Sequence, residues 1–271
     1  MVATDATGLR RGLTILLAVA EQEGVGEQAP GVTRIATLIG REKSQVSRAL
    51  KILAEAGFVD RDPETLGYRL GWRLLAMAGR STHAALTAAA ESQLTRLVRA
   101  FGERAHLSVL QGQEVLTVLS EAPDRTIQTV GWVGRTVPAY SSSSGRALLF
   151  DHERAGLDEF FRDVTFAAAT PRTPRDVEEL YARIAAARDR GFALVDEEFE
   201  PGLVGAAAPV RDFRGRVVAA LNVSAPKFRF AQELERAGQL VKNAADDISA
   251  EIGWQGSSEV GGTRLATVSR S

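Results

Sequence analysis

The stretch from residue 44 to residue 72, SQVSRALKILAEAGFVDRDPETLGYRLGW, decides the fold of the N-terminal part of the chain. Its first half predicts a helix with Ser44 as N-cap and with its end at Gly57. Four apolar positions share the buried stripe of this helix: Val46, Ala49, Leu50 and Leu53. The second half predicts two short strands around a turn marked by Pro63 and Gly67. A hairpin directly after such a helix is typical of a winged-helix domain.

Two further helices are predicted upstream of this stretch. The first covers residues 9–22, and its apolar spacing predicts one buried face made of Leu9, Leu13, Leu16, Leu17 and Ala20. The second is short and ends at Gly40, and we expect three of its residues to point inward: Ile35, Leu38 and Ile39. A short helix, a tight turn and a longer helix follow the order of a helix-turn-helix motif.

The polar face of the third helix carries side chains that can hydrogen-bond base edges and phosphates in a major groove. These candidates are Ser44, Gln45, Ser47, Arg48 and Lys51. The alternative is a solvated helix face without a partner. Arg61 and Arg69 flank the hairpin turn, where they can reach the phosphate backbone or a minor groove. Helix, turn, helix and basic hairpin together favour a DNA-binding domain.

Length and composition limit the classes of protein to which the chain can belong. The chain has 271 residues, 45% of them hydrophobic and 25% charged, which is enough for one or two cores. It contains no cysteine, which excludes disulfides and cysteine-ligated zinc or iron–sulfur sites. The apolar stretch near the N-terminus is too short to span a bilayer and lacks a cleavage site. We therefore expect a cytoplasmic protein without a membrane partner.

Residues beyond 72 predict a linker helix followed by an α+β domain. The segment 72–100 is rich in Ala and Leu and has no proline, so it favours helix except near Gly79, where we place the domain boundary. Six later runs predict strands: AHLSVLQ, EVLTVLS, TIQTVGWVG, FALVD, VGAAAPV and RVVAALNVS. Between them a helix is predicted with Thr173 as cap, Pro174 as first residue, Asp176 in the first turn and Gly191 at its end.

Four consecutive serines, Ser141 to Ser144, run through Gly145 into a helix in the segment AYSSSSGRALLF, residues 139–150. A flexible linker is disfavoured because a strand and a helix flank the segment closely. A nucleophile loop would need G-x-S-x-G, and a phosphate cradle would end in G-K-[ST]. The histidines of the chain show no metal or triad spacing, so we expect no metal, no cofactor and no catalytic residue. The favoured reading is a pocket mouth that holds a polar group at a helix N-terminus.

The chain resembles the IclR family of bacterial transcriptional regulators over residues 9–253. Four segments carry the resemblance: RGLTILLAVAE, KSQVSRALKILAEAGFVDRDPETLGYRLGWRLL, VPAYSSSSGRALL and, most specifically, RGFALVDEEFEPGLVGAAAPVRDFRGRVVAALNVSAP. The resemblance implies a winged helix-turn-helix domain over residues 1–71 and a linker helix over residues 72–83. It implies an effector-binding and oligomerisation domain over residues 84–255, with a curved antiparallel sheet related to GAF and PAS sensors. Residues 256–271 are polar and glycine-rich, so we expect a disordered tail.

The resemblance also implies a function. We expect a repressor that binds a palindromic double-stranded operator as a homodimer or homotetramer and answers to a small carboxylate-bearing effector. Two alternatives stay open at this point: a small-molecule sensor without DNA-binding activity, and a serine-dependent enzyme.

Ligand-contacting positions of the family carry over to five residues of this chain: Ser143, Ser144, Gly205, Asn222 and Ser224. Gly205 stands where relatives often have cysteine and Asn222 where they often have serine, which leaves the identity of the ligand open. Asp196 is a further candidate, although it and Glu198 can instead fix their loop through hydrogen bonds to backbone N–H groups. Trp132 either forms a wall of an apolar pocket or fills the core.

Overall fold

The structure, a computed structural model, describes residues 3–22, 29–78, 83–123 and 132–256. It divides into two compact units, residues 1–84 and residues 85–271. The predicted strand TIQTVGWVG and the predicted disordered tail fall largely on residues 124–131 and 257–271, which lie outside the described residues. The described end of that strand, residues 132–134, leads into a turn instead, and the next strand begins at Thr136.

The first unit contains helices and a two-stranded sheet. Its elements in chain order are α1 (Ala3–Gln22), α2 (Val32–Leu38), α3 (Lys43–Glu55), β1 (Val59–Arg61), β2 (Tyr68–Leu70) and α4 (Trp72–Ala78). The strands are antiparallel, with Val59 opposite Leu70. Asp62 fixes the turn between them, because its side chain accepts hydrogen bonds from the backbone N–H groups of Glu64 and Thr65. The winged helix-turn-helix architecture predicted from the sequence is confirmed.

The buried face of α1 differs from the predicted one. The core of the first unit takes Ile15, Ala18 and Val19. Three predicted core residues are exposed instead, Leu9 by 69%, Leu13 by 53% and Leu17 by 64%. The helix is apolar on two sides, so periodicity alone could not tell which side meets α3. In α2 the same error concerns Leu38, which is exposed although its neighbour Ile35 is buried.

Helix α3 begins earlier than predicted. Glu42 occupies the N-cap position without making a side-chain capping bond, and Ser44 therefore lies inside the first turn. The buried stripe agrees with the prediction, since Val46 and Leu50 are fully buried and Ala49 and Leu53 pack against the same core. The polar side chains of α3 consequently lie on its outer face.

The second unit is a six-stranded sheet with helices. Its elements are α5 (Ala84–Phe101), β3 (Arg104–Gln111), β4 (Glu114–Glu121), β5 (Thr136–Pro138), α6 (Ser143–Leu148), α7 (Arg154–Phe160), α8 (Val177–Arg190), β6 (Ala193–Asp196), β7 (Leu203–Arg211), β8 (Val217–Pro226), α9 (Lys227–Phe230) and α10 (Leu234–Glu251). The strand order is β5-β4-β3-β8-β7-β6, and every adjacent pair is antiparallel. The predicted α+β class is confirmed.

Helices cover both faces of the sheet, and strand β8 shows how the faces divide. Leu221 and Val223 belong to the core shared with α5 and α10, whereas Ala220 belongs to the core shared with α6, α7 and α8. Because side chains alternate along a strand, Asn222 and Ser224 point to the same side as Ala220. The predicted ligand-contacting side chains of β8 therefore lie on the α6 face.

Helix α8 is capped differently from the prediction. Asp176 is the N-cap residue, and its carboxylate accepts a hydrogen bond from the backbone N–H of Glu179 at 2.9 Å. Thr173 is instead buried, and its hydroxyl donates to the backbone oxygen of Glu198 at 2.6 Å. The C-terminal prediction is confirmed, since Gly191 ends the helix with a φ of 81° that favours glycine.

Candidate functional site

A cavity of about 430 Å³ lies on the α6 face of the sheet in the second unit. Six of the predicted effector-binding residues line it: Trp132, Ser143, Ser144, Gly205, Asn222 and Ser224. The wall also contains apolar side chains from several strands, including Val115, Val137 and Val195. This size and this mixture of apolar wall and a few polar groups are typical of small-molecule sites.

Two of the four serines stabilise the turn through hydrogen bonds, and the other two line the cavity. Ser142 is the N-cap of α6, and its hydroxyl accepts a hydrogen bond from the N–H of Gly145 at 3.1 Å. Ser141 donates to the carbonyl of Pro138 at 3.4 Å. Ser143 and Ser144 are buried, line the cavity and make no side-chain hydrogen bond within the described part of the chain. Two hydroxyl groups are thus available to a ligand.

Glycines bring the four serines, Ser141 to Ser144 and here called the serine turn, close to the sheet. A Cβ on Gly145 would lie 2.1 Å from the backbone oxygen of Ala139, so no other residue fits there without a backbone shift. A Cβ on Gly205 would lie 3.0 Å from the hydroxyl oxygen of Ser143 and 3.3 Å from the backbone oxygen of Val223. Gly205 therefore lets Ser143 lie against strand β7, and a cysteine at this position would crowd the turn.

His106 is a cavity residue that the sequence analysis did not select. It faces Asn222 across the β3–β8 pair, and the two side chains are 5% and 7% exposed. Burial, with a smaller contribution from Arg104, lowers the pKa of His106 from 6.5 to about 4. Its ring centroid is 5.7 Å from that of Trp132. The alternation in AHLSVLQ placed His106 and Ser108 on one face and could have identified it.

Asp196 does not line the cavity. Its carboxylate forms ion pairs with Lys227, at 2.7 Å, and with Arg172. Opposite charges therefore hold this carboxylate, and Asp196 is not among the residues that line the cavity. The alternative of a structural role agrees with the geometry, although the partners are cations rather than the expected backbone N–H groups.

Glu198 also pairs with cations, but it is buried. Its carboxylate lies 2.5 Å from the guanidinium of Arg146, which is itself 3% exposed, and 2.6 Å from that of Arg183. Burial lowers the pKa of Arg146, and the contact with Glu198 opposes this effect. The residues that follow, Phe199 and Glu200, line the cavity. The ion pair thus joins helix α6 to the loop that carries part of the cavity wall.

A second ion pair lies in the cavity wall. The guanidinium of Arg229 contacts the carboxylate of Glu103 through two hydrogen bonds of 2.5 and 2.9 Å, and both residues line the cavity. The bond to Glu103 raises the pKa of Arg229. Because the two charges offset each other, Arg229 is poorly placed to act as the main anion-binding group of this cavity.

The predicted DNA-contacting residues lie on α3 and on the wing of the first unit. Those exposed on α3 are Ser44, Ser47, Arg48 and Lys51, and Gln45 is half-buried. On the wing, Arg69 is exposed and the guanidinium of Arg61 lies 5.7 Å from the ring centroid of Tyr68. Lys51 makes an exposed contact of 3.9 Å with Glu55. These cations are therefore accessible to phosphate groups.

The search for membrane-spanning helices and metal-binding groups covers residues 3–22, 29–78, 83–123 and 132–256. Within those ranges, no helix is both long and apolar enough to cross a membrane. No group of three or more metal-ligating side chains occurs among the same residues.

A winged helix-turn-helix unit followed by a unit with a cavity of this kind defines a DNA-binding regulator with a ligand-binding domain. Two family models match the chain: the IclR helix-turn-helix domain over residues 8–63 and the bacterial transcriptional regulator IclR C-terminal domain over residues 80–250. The chain therefore belongs to the IclR family of transcriptional regulators. Its C-terminal unit is an effector-binding domain, and the protein is a regulator rather than an enzyme.

Individual relatives agree with this assignment. The Pca regulon regulatory protein of Pseudomonas putida is 32% identical over 220 residues, which cover 80% of this chain and 74% of that protein. The transcriptional repressor AllR of Salmonella typhimurium is 26% identical over 250 residues, which cover 92% and 90%. A crystal structure of an IclR homologue from Microbacterium hydrocarbonoxydans in complex with 4-hydroxybenzoate has a TM-score of 0.71 and 25% identity, covering 89% of this chain and 98% of that one.

Proposed function

We propose that this regulator is a repressor whose residues 1–71 bind a palindromic operator and whose residues 84–255 bind a small carboxylate-bearing effector and oligomerise. Residues 72–83 connect the two parts. The cavity below the serine turn carries the effector proposal, and the name of AllR as a repressor supports the direction of control. Binding of effector shifts the equilibrium between DNA-binding and released states only as far as its affinities for the two states differ.

The carboxylate proposal rests on the hydroxyl groups of Ser143 and Ser144. Both face the cavity without another side-chain hydrogen bond in the described chain, and hydroxyls can donate to a carboxylate. The ligand of the Microbacterium homologue, 4-hydroxybenzoate, also carries a carboxylate. We expect a bulky replacement, Ser144→Phe, to abolish the effector response while operator binding persists. Normal ligand affinity of Ser144→Phe in calorimetry would place the effector elsewhere.

Self-association is supported by the exposed apolar side of α1. Leu9, Leu13 and Leu17, here called the leucine stripe, recur every four residues and lie on one side of the helix. Burial against a second copy would remove this apolar area from water. Leu13→Glu is expected to shift the protein towards monomer in analytical ultracentrifugation and to weaken operator binding. An unchanged oligomer would remove the leucine stripe from the interface.

The DNA-binding proposal is tested with a random duplex library. Selection with the purified protein is expected to enrich a palindrome, because a two-fold symmetric dimer binds two equivalent half-sites. Arg48→Ala should weaken binding to the selected duplex by roughly 1 to 3 kcal/mol. Arg214→Ala, at an exposed turn of the second unit, is the matched control for loss of one positive charge. Equal affinity of wild type and Arg48→Ala would remove Arg48 from the interface.

A further inference from the structure

Two buried polar atoms of the cavity wall have no hydrogen-bond partner within the described residues: Nδ1 of His106 and Oδ1 of Asn222. They belong to side chains that face each other across neighbouring strands, on the same side of the sheet as the serine turn. An unpaired buried polar atom is costly, and such atoms are rare in folded proteins. A ligand in this cavity can supply the missing partners.

The chemistry of the two atoms restricts the ligand group that satisfies both. The Asn222 oxygen accepts a hydrogen bond, whereas Nδ1 of a neutral histidine donates or accepts according to its tautomer. The imidazole is neutral at physiological pH, because burial has lowered its pKa to about 4. In the tautomer with the proton on Nδ1, a hydroxyl accepts from the imidazole and donates to the Asn222 oxygen, so it pairs with both side chains. A carboxylate only accepts and leaves the Asn222 oxygen unpaired, and an ammonium only donates and cannot accept from this tautomer.

The sheet register fixes the spacing between this pair and the serine turn. Ser143 lies against Gly205, which pairs with Ser224, while Asn222 stands two residues along the same strand and pairs with His106. Two residues of a β-strand span about 7 Å. Gly205 also lies on the neighbouring strand, about 5 Å to the side, so a ligand group at Asn222 is roughly 8 Å or more from a group held at Ser143.

We propose that His106 and Asn222 are the specificity-determining pair of the cavity and that the effector is a carboxylic acid with a hydroxyl group at the end of the molecule remote from its carboxylate. The hydroxyl pairs with His106 and Asn222, and the carboxylate with the serine turn. The apolar body between them lies beside Trp132 and the valines of the wall. This inference rests on the proposed function, because it names the ligand class of the same cavity.

The test compares probes that differ only in the hydroxyl group. The aromatic set is benzoate with its 4-hydroxy and 2-hydroxy derivatives, and the aliphatic pair is pentanoate with 5-hydroxypentanoate. Binding is followed by the fluorescence of Trp132 in the full chain carrying Trp72→Phe and Trp254→Phe, because Trp132 is the tryptophan that lines the cavity. Isothermal titration of the unsubstituted protein checks each affinity.

We expect the distal hydroxyl to strengthen binding about tenfold or more in at least one set, because its absence leaves buried polar groups unpaired. The 2-hydroxy derivative should bind no better than benzoate, since its hydroxyl lies next to the carboxylate. This comparison needs no substituted cavity residue, so it decides the proposal even if cavity variants fold poorly. Equal binding within both sets, or no binding by any probe, would overturn the proposal.

Substitution then assigns the preference to the pair. His106→Leu and Asn222→Leu are expected to reduce the preference for the hydroxylated probe to about onefold, with the affinity for benzoate changed less than about threefold. His106→Asn should retain part of the preference, because an amide also donates and accepts. A preference that survives in both leucine variants would assign the hydroxyl to other side chains and refute the proposed pair.

Operator binding is measured on the same samples. If probes bind without a hydroxyl preference but still release the selected duplex, the inference about His106 and Asn222 fails and the proposed function stands. If the protein does not bind DNA, the proposed function fails, while the probe affinities still decide whether the pair recognises a hydroxyl. The two failures therefore give different results.

Discussion

The buried ion pair between Arg146 and Glu198 predicts how the second unit responds to the loss of one charge. Glu198→Gln removes the negative charge and leaves the guanidinium of Arg146, 3% exposed, without its counter-ion. Arg183 loses the same partner, although it is one-third exposed and water compensates it in part. Breaking a buried pair by removing one charge typically costs about 3 to 5 kcal/mol, because the remaining charge stays desolvated. We expect a loss in this range for the second unit.

Urea unfolding of the full chain measures this loss. The transition of the second unit is followed by the fluorescence of Trp132 and Trp254 in a Trp72→Phe background, since Trp72 belongs to the first unit. Asp158→Asn is the matched control. It removes the charge of an exposed carboxylate that pairs with Arg154 on α7, and exposed pairs contribute little because water and salt screen them.

The double variant Arg146→Met/Glu198→Leu separates the pair from its surroundings. It removes both buried charges, so only Arg183, which is one-third exposed, is left without its partner, and the backbone oxygen of Leu194 loses its bond from Arg146. We expect the double variant to be more stable than Glu198→Gln, with a coupling free energy of about 1 to 3 kcal/mol in the cycle. A loss below about 1 kcal/mol for Glu198→Gln would contradict the reasoning, because it would mean that the buried charge finds water or another partner.

Three further predictions concern other parts of the fold. Gly71→Ala should destabilise the first unit by about 2 kcal/mol or more, because its Cβ would lie 2.2 Å from the backbone oxygen of Gly57; an unchanged melting temperature would refute this. Gly205→Val should displace Ser143 and weaken probe binding about tenfold with operator affinity intact, as titration and gel shift can check. His106→Gln should flatten the pH dependence of stability. The folded-state pKa of about 4 lies below the ordinary 6.5, so the unfolded state protonates first and wild type loses about 3 kcal/mol between pH 6.5 and 4 in urea titrations.

Local signals in the sequence were sufficient for the order of elements. Turn residues and hydrophobic periodicity predicted the wing, α3 and strands β3, β4, β6, β7 and β8, because each depends on neighbours within a few residues. Cap residues depend on more than the local sequence. Thr173 and Asp176 are both good N-caps, and the buried bond from Thr173 to the backbone of Glu198 decides between them. That bond joins residues far apart in sequence, so no local pattern predicts it.

The residues of the cavity also differ in whether the sequence predicts them or contacts between distant segments decide their place. Its residues on β8 and in the serine turn were predicted from the family resemblance together with strand alternation, and the structure places them in one wall. Asp196 lies outside because Lys227 and Arg172, from distant segments, fix its carboxylate. His106 shows neither metal-ligand nor triad spacing in the sequence, so its residue type alone does not indicate the cavity. A polar residue at an inward position of a predicted strand was the available signal.

The leucine stripe shows that hydrophobic periodicity predicts an apolar contact surface but not the partner that covers it. The spacing of Leu9, Leu13 and Leu17 predicted a buried face, and in the single chain this face is exposed while Ile15 and Val19 occupy the core. A helix with apolar residues on both sides satisfies one side by folding and leaves the other to contact water or another molecule. The pattern therefore encodes apolar contact without specifying which molecule supplies it. Under the proposed dimer, the second copy supplies it, and the Leu13→Glu experiment decides the matter.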